Sequence, residues 1–190
     1  NKYKIILSSD LKSNFNIEKA KAAVLFIVNN IGETDLLKIF KILYFSERNH
    51  LAKYGRLILN DEYVAMKNGP VPSKLYDLFK IIRGDIPKQD AYSNFVNAFK
   101  IKDRYIVNAL ETADLDELSK SNIVCIEDAI RDNYNLSFEE LSSKSHQFAW
   151  NNANRDDYMN FLDIATEGGA NKEMIKYIIE TKENSQLILA

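Results

Sequence analysis

A single cysteine, two histidines, three prolines and six glycines occur in 190 residues. One cysteine leaves no intrachain disulfide and no cysteine-rich zinc site. Cys125 lies in Ile123-Val124-Cys125-Ile126, which reads as a buried structural thiol rather than a nucleophile. With only His50 and His146, most acid–base and metal arrangements lack members. Glu47 and His50 stand three apart, half of a carboxylate–histidine di-metal pattern. The other half would need a glutamate three residues before His146, where Ser143 stands. There is no glycine-rich phosphate loop, Walker lysine or zinc spacing, so neither a metal nor a cofactor is expected. Apolar runs such as Ala22-Ala23-Val24-Leu25-Phe26-Ile27-Val28 are too short to span a bilayer, and the start carries no secretory signal. A net charge of −2 gives no basic field for nucleic acid or an anionic membrane. The expectation is a cytoplasmic protein without catalytic activity. A weaker alternative is a hydrolase using Glu47, Arg48 and His50, although Ser46-Glu47-Arg48-Asn49-His50 reads better as a solvated helix end.

What the chain does have is apolar content, 46% of residues, enough for a proper core in one domain over residues 1–190. Residues 1–12 read as a short strand or a loosely held leader. Asn14 or Asn16 caps a helix to about Asn30, with Ile17, Ala20, Val24, Ile27, Val28 and Ile31 at helical spacing, ended by Gly32. Thr34 is expected to cap the next helix, apolar almost all round from Leu36 to Phe45 and therefore central. Arg56–Met66 reads as a hairpin or a returning arm. A helix to about Arg83 should bury Leu75, Leu78, Phe79 and Ile82. Residues 99–107 form a second small hairpin. Ser119 caps a helix with an apolar stripe at Ile123, Ile126, Ile130 and Tyr134. Ser137 and Glu140 make a capping box, and further helices split at Gly168-Gly169. The terminal Leu187-Ile188-Leu189-Ala190 reads as a docking strand, with a degradation tag as the alternative. The fold class is mainly α (α+β), a compact helical domain with one or two small β-hairpins or arms.

Two of the three prolines fall in Gly69-Pro70-Val71-Pro72. Glycine admits positive φ, and each proline fixes φ and removes a donor. The stretch reads as a stiff, exposed corner between a strand end and a helix start. It either sets the angle between elements or presents a binding surface. His146 and Trp150, four apart, read as a packed pair closing the core; alternatively they line a groove beside that corner.

Two blocks of sequence then stand out together. The first runs from Leu43-Tyr44-Phe45-Ser46-Glu47-Arg48-Asn49-His50 through Tyr63-Val64-Ala65-Met66-Lys67-Asn68-Gly69-Pro70-Val71-Pro72 to Tyr76-Asp77-Leu78. The second holds Leu118-Ser119, Leu136-Ser137-Phe138-Glu139-Glu140-Leu141-Ser142, Ser145-His146 and Trp150. In this order they resemble the Panacea (SocA-like, DUF4065) domain of phage-associated and antitoxin proteins, over about residues 31–150, leaving 151–190 as a helical C-terminal extension. The resemblance implies an antitoxin of a toxin–antitoxin system that neutralises a cognate toxin by direct protein binding. One branch of the family also delivers its toxin to an AAA+ protease. A phage or mobile-element protein that binds a host factor is a further alternative. The motif residues that match are Gly69, Pro70, Val71, Pro72, Tyr76, His146 and Trp150; with Lys67 and Asn68 they form the expected partner-binding set. The family often carries a DNA-binding module, and too few residues precede the match here for nucleic-acid binding to be expected. The resemblance leaves the oligomeric state open.

Overall fold

The near-continuous apolar run from Leu36 to Phe45 becomes the axis of the molecule. The computed structural model describes residues 14–188, with side chains as far as Glu183. In chain order the elements are α1 (Ile17–Ile31), β1 (Thr34–Asp35), α2 (Leu36–Tyr54), β2 (Tyr63–Met66), β3 (Gly69–Pro72) and α3 (Ser73–Arg83). There follow α4 (Ser93–Val96), β4 (Phe99–Lys102), β5 (Ile106–Ala109), α5 (Lys120–Asn133), α6 (Phe138–Ser145), α7 (Phe148–Asn152), α8 (Phe161–Glu167) and α9 (Lys172–Ile188). The fold is mainly α with two small antiparallel sheets. Among the described residues, no helix is long and apolar enough to cross a membrane.

Helix α2 buries Leu36, Ile39, Phe40, Ile42, Leu43, Tyr44, Phe45 and Leu51. It is covered by α5, β3, α8, α6 and α1, which explains why it has so little polar face. One sheet has the order β1-β5-β4, and the other is the hairpin β2–β3. In that hairpin Tyr63 pairs with Pro72, Val64 with Val71, Ala65 with Pro70 and Met66 with Gly69. Pro70 and Pro72 sit at alternate positions, so both missing N–H groups fall on one edge, where a strand can tolerate them. The other face of β2 is occupied: Ala65 N–H donates to the Asp157 carbonyl at 2.9 Å, and Met159 N–H to the Tyr63 carbonyl at 2.8 Å. Residues 156–159, beyond α7, thus line the outer edge of the hairpin.

Many caps stand where their residue types place them. Asn16 accepts from Lys19 N–H, Ser119 and Ser137 form capping boxes with Asn122 and Glu140, and Gly32, Gly55 and Gly84 end helices. The second expected hairpin is β4–β5, and α8 and α9 are separated at Gly168-Gly169 as expected.

Other expectations are corrected. Asp35, not Thr34, caps α2, because Thr34 and Asp35 are drawn into β1 against Val107 and Ile106. The first hairpin lies not within 56–66 but between β2 and β3, and the Gly-Pro-Val-Pro stretch is its second strand. That stretch is buried throughout rather than an exposed corner, because β3 packs on α2. In α3 it is Ile81 that is buried, with Ile82 half-buried. The buried face of α5 is Asn122, Cys125, Ile126, Ala129 and Asn133, and Tyr134 is exposed. The face is turned toward two asparagines because both have partners in the interior. Residues 46–50 do not form a solvated end: Ser46, Glu47 and His50 are buried under α5 and the following loop. Leu187-Ile188 continues helix α9 rather than forming a strand. Leu189-Ala190 and the segment 1–12 lie outside the described residues.

Candidate functional site

The hairpin β2–β3 is anchored at its base by a residue that precedes it. Asp61, 1% exposed, accepts from the N–H groups of Glu62 (2.8 Å), Lys74 (3.0 Å) and Leu75 (3.0 Å). Pro72 stands at the N-cap of α3 and offers no side-chain bond; Asp61 supplies the missing cap and satisfies orphan helix donors. Burial raises its pKa to about 6, against the pull of those three N–H groups.

At the other end the tip rests on α2, α6 and α7. Lys41, 2% exposed, extends from the central helix and donates to the Pro70 carbonyl at 2.8 Å. Gly69 has φ +103°, and a Cβ there would collide with Ser145 Oγ and come within 2.8 Å of Lys41 Cε. Only glycine satisfies both the dihedral and the space. Trp150 Nε1 donates to the Met66 carbonyl at 3.0 Å. The His146 ring stacks on the indole with centroids 3.9 Å apart and planes at 21°. The two are not on one helix, since His146 caps the end of α6 and Trp150 lies in α7.

The electrostatics follow from burial. Lys41 has its pKa lowered to about 7 by loss of water; among the described residues no carboxylate forms an ion pair with it. Burial and the nearby Lys41 charge also lower His146, opposed by the Lys67 carbonyl. His146 Nε2 is a buried atom without a hydrogen-bond partner among the described residues.

Behind the hairpin, Glu47 is fully buried. Its two carboxylate oxygens accept from the N–H groups of Ile58 and Leu59, so it holds the loop that leads into β2. Burial pushes its pKa up to about 7, opposed by those two donors and reinforced by Asp61. The His50 nitrogens face the Arg56 carbonyl (2.7 Å) on one side, and Ser121 Oγ (3.0 Å) and Asn122 Nδ2 (3.1 Å) on the other. Arg48 pairs with Glu167 at 3.4 Å and lies over the Phe45 ring. Glu47, Arg48 and His50 therefore serve three different structural tasks, with Arg48 Nε left without a hydrogen-bond partner among the described residues. Among the described residues, no group of three or more His, Cys, Asp or Glu is placed to hold a metal ion.

The model of the family described as "Antitoxin SocA-like, Panacea domain" matches residues 39–151, more than half of the 190-residue chain. The chain belongs to this family. No curated protein and no solved structure matches it. The matched span of this Panacea domain runs from α2 to α7 and contains Lys41, Glu47, Asp61, the whole hairpin, Ser145, His146 and Trp150. It stops short of residues 156–159 and of Glu167.

Within the domain, the expected partner-binding residues divide into four groups. Lys67 is exposed and Asn68 half-buried, at the two-residue turn between β2 and β3. Gly69, Pro70, Val71 and Pro72 are buried in the strand. His146 and Trp150, both half-buried, brace the turn. Tyr76 belongs to another neighbourhood: it packs edge-on against Phe40 and carries Lys80 and Arg83 over its ring. Sequence reasoning passed over Lys41, Asp61, Ser145 and Glu167. A lysine inside an otherwise apolar helix was the one available signal, and it marks Lys38 as much as Lys41.

Proposed function

We propose that this Panacea domain is an antitoxin that neutralises a cognate toxin by direct protein–protein binding, and that the turn Lys67-Asn68 is part of the binding surface. Membership of the antitoxin family supports the general role. The observation that carries the local reading is the bracing of the turn. Lys41 to Pro70, Trp150 to Met66, and residues 156–159 along β2 tie both strands from three sides. A turn held this way loses little conformational freedom on binding, which favours its use as a recognition element. Buried Gly69 to Pro72 act as scaffold, and contact with the partner falls to the exposed side chains.

The test is growth of cells expressing the protein encoded beside this chain, alone and together with it, with the toxin followed by blotting. Rescue with the toxin still present and co-purifying supports sequestration. Rescue with protease-dependent disappearance of the toxin means delivery to an AAA+ protease instead. A neighbour that is not toxic overturns the antitoxin reading and favours a host-factor binder. The double variant Lys67→Glu, Asn68→Asp should lose rescue while its circular dichroism is unchanged. Retained rescue removes the turn from the interface.

A further inference from the structure

The hairpin β2–β3 has two outer edges, and its own sequence closes one of them. On β3, Pro70 and Pro72 stand opposite Ala65 and Tyr63 and have no outward N–H to donate. The Pro70 carbonyl is already taken by Lys41. The edge of β2 is intact, and the connection between α7 and α8 lies along it as a strap. Ala65 N–H donates to the Asp157 carbonyl at 2.9 Å, and the Ala65 carbonyl accepts from Asp156 N–H at 2.9 Å. The Tyr63 carbonyl accepts from Met159 N–H at 2.8 Å. Val64 and Tyr158 face each other between these bonds as an antiparallel pair. The strap thus shows what the edge accepts, namely one antiparallel length of extended chain.

The strap is held almost entirely by bonds that any extended chain could make. The side chains of Asn154, Arg155, Asp156, Asp157 and Tyr158 are exposed, and Met159 is the buried one. The polar contacts of these side chains stay within the segment: Arg155 pairs with Asp156 at 3.9 Å, and Asp157 Oδ1 accepts from Tyr158 N–H at 2.7 Å. Asp156 has φ +61°, an unfavourable dihedral for a residue with a Cβ. The helices on either side are joined independently of the strap, through Ala149 N–H to Glu167 at 3.0 Å and Asn152 Nδ2 to Asp163 at 3.2 Å. The strap can lift without parting them. It also lies beyond residues 39–151, the span matched by the family, so the strand that covers the edge is an addition to the domain.

We propose that the edge of β2 pairs with an extended segment of the toxin, which displaces the strap, takes over its main-chain bonds to Tyr63 and Ala65, and seats an apolar side chain where Met159 lies. This rests on the antitoxin reading and gives the partner's chemistry: a proline-free strand whose own main chain supplies the recognition. The strap is then an intramolecular stand-in that keeps the edge from pairing with other chains until the toxin arrives. Because the incoming strand replaces the strap bond for bond, the turn Lys67-Asn68 stays braced and lies at the end of the same interface.

The experiment takes the full chain and the toxin identified by the growth assay. The double variant Val64→Cys, Tyr158→Cys fastens the strap to β2, since the Cα atoms of such a pair stand about 4.5 Å apart, within reach of a disulfide. The native Cys125 is buried. Titration calorimetry compares the oxidised and reduced forms of this one variant, with wild type under both conditions as the control. The expected result is an affinity lower by about tenfold or more when the strap is fastened, restored on reduction. Amide exchange of the wild-type chain is the second measurement and needs no variant. On toxin binding, Asp156 and Met159 should lose protection while Ala65 keeps it. Wild-type binding with the two redox forms within about twofold, or with Asp156 and Met159 still protected in the complex, overturns the displacement and leaves the antitoxin standing. If the wild-type chain binds no toxin, both readings fall.

Discussion

The Lys41 ammonium donates to the Pro70 carbonyl across 2.8 Å, and this bond joins the central helix to the strand that the sequence presents as a free corner. Pro70 can neither donate to a ladder nor bend, so its carbonyl is a fixed target. Lys41 reaches it beside Gly69, where no side chain intervenes. The hairpin is thereby tied to the central helix.

Gly69→Ala should therefore be a stability variant and not a test of binding. Positive φ and the collision with Ser145 Oγ and Lys41 Cε act together. The expected loss is about 2–4 kcal/mol, read from the urea midpoint. Gly32→Ala, at φ +82° with nothing near its Cβ, should lose about 1 kcal/mol. Equal losses at the two sites would mean that the space under Gly69 is not restrictive.

Trp150→Phe removes the bond to the Met66 carbonyl and keeps most of the ring. It should lower stability by about 1 kcal/mol and speed amide exchange in Tyr63–Met66 more than in α5. Uniform acceleration across the chain would show that the indole supports the core at large rather than the hairpin.

Glu167 lies outside the span matched by the family, yet it accepts from Tyr44 Oη at 2.7 Å and Ala149 N–H at 3.0 Å, and pairs with Arg48. Glu167→Ala leaves these buried donors without a partner and should lower stability by about 2–3 kcal/mol. A change below about 0.5 kcal/mol, within the range of ordinary surface substitutions, would make α8 an accessory to the domain instead of part of it.

The buried ionisable groups predict opposite pH slopes. Glu47 moves from 4.5 to about 7 on folding, so the folded state binds its proton more tightly. Its contribution is full below pH 4.5 and is lost as pH rises toward 7, on the order of 3 kcal/mol. Lys41 moves from 10.5 down to about 7. Its penalty is full below pH 7 and is relieved as pH rises toward 10.5. Against Glu47→Gln, wild-type stability should fall between pH 4.5 and 7. Against Lys41→Met, it should rise between pH 7 and 10. Parallel stability–pH curves for wild type and variant would show that the group keeps its ordinary pKa.

Much of the architecture can be read from local signals. Asn16, Ser119, Ser137, Gly32, Gly55 and Gly84 mark helix ends through their own side chains or dihedrals. The apolar run 36–45 marks the central helix through its lack of a polar face. The His146–Trp150 contact was legible as a packed pair. Hairpin pairing was not, since Tyr63–Met66 lies between two stretches it could pair with, Leu57–Leu59 and Gly69–Pro72, and only β3's packing on α2 selects one. The burial of Glu47 and Asp61 was equally hidden, because a carboxylate looks solvated until backbone N–H groups distant in sequence converge on it.

The sequence by itself determined the helical class, the family and the position of most caps, all of which depend on residues within a few positions of one another or on an ordered set of motifs. Tertiary structure alone decided that Gly69-Pro70-Val71-Pro72 is an inner strand, that Asp61 caps a helix by accepting from an N–H thirteen residues on, and that Lys41 is buried against the hairpin. Those outcomes turn on which polar groups lose water and which partners they then meet. That balance of desolvation and hydrogen bonding exists only once distant segments are packed together.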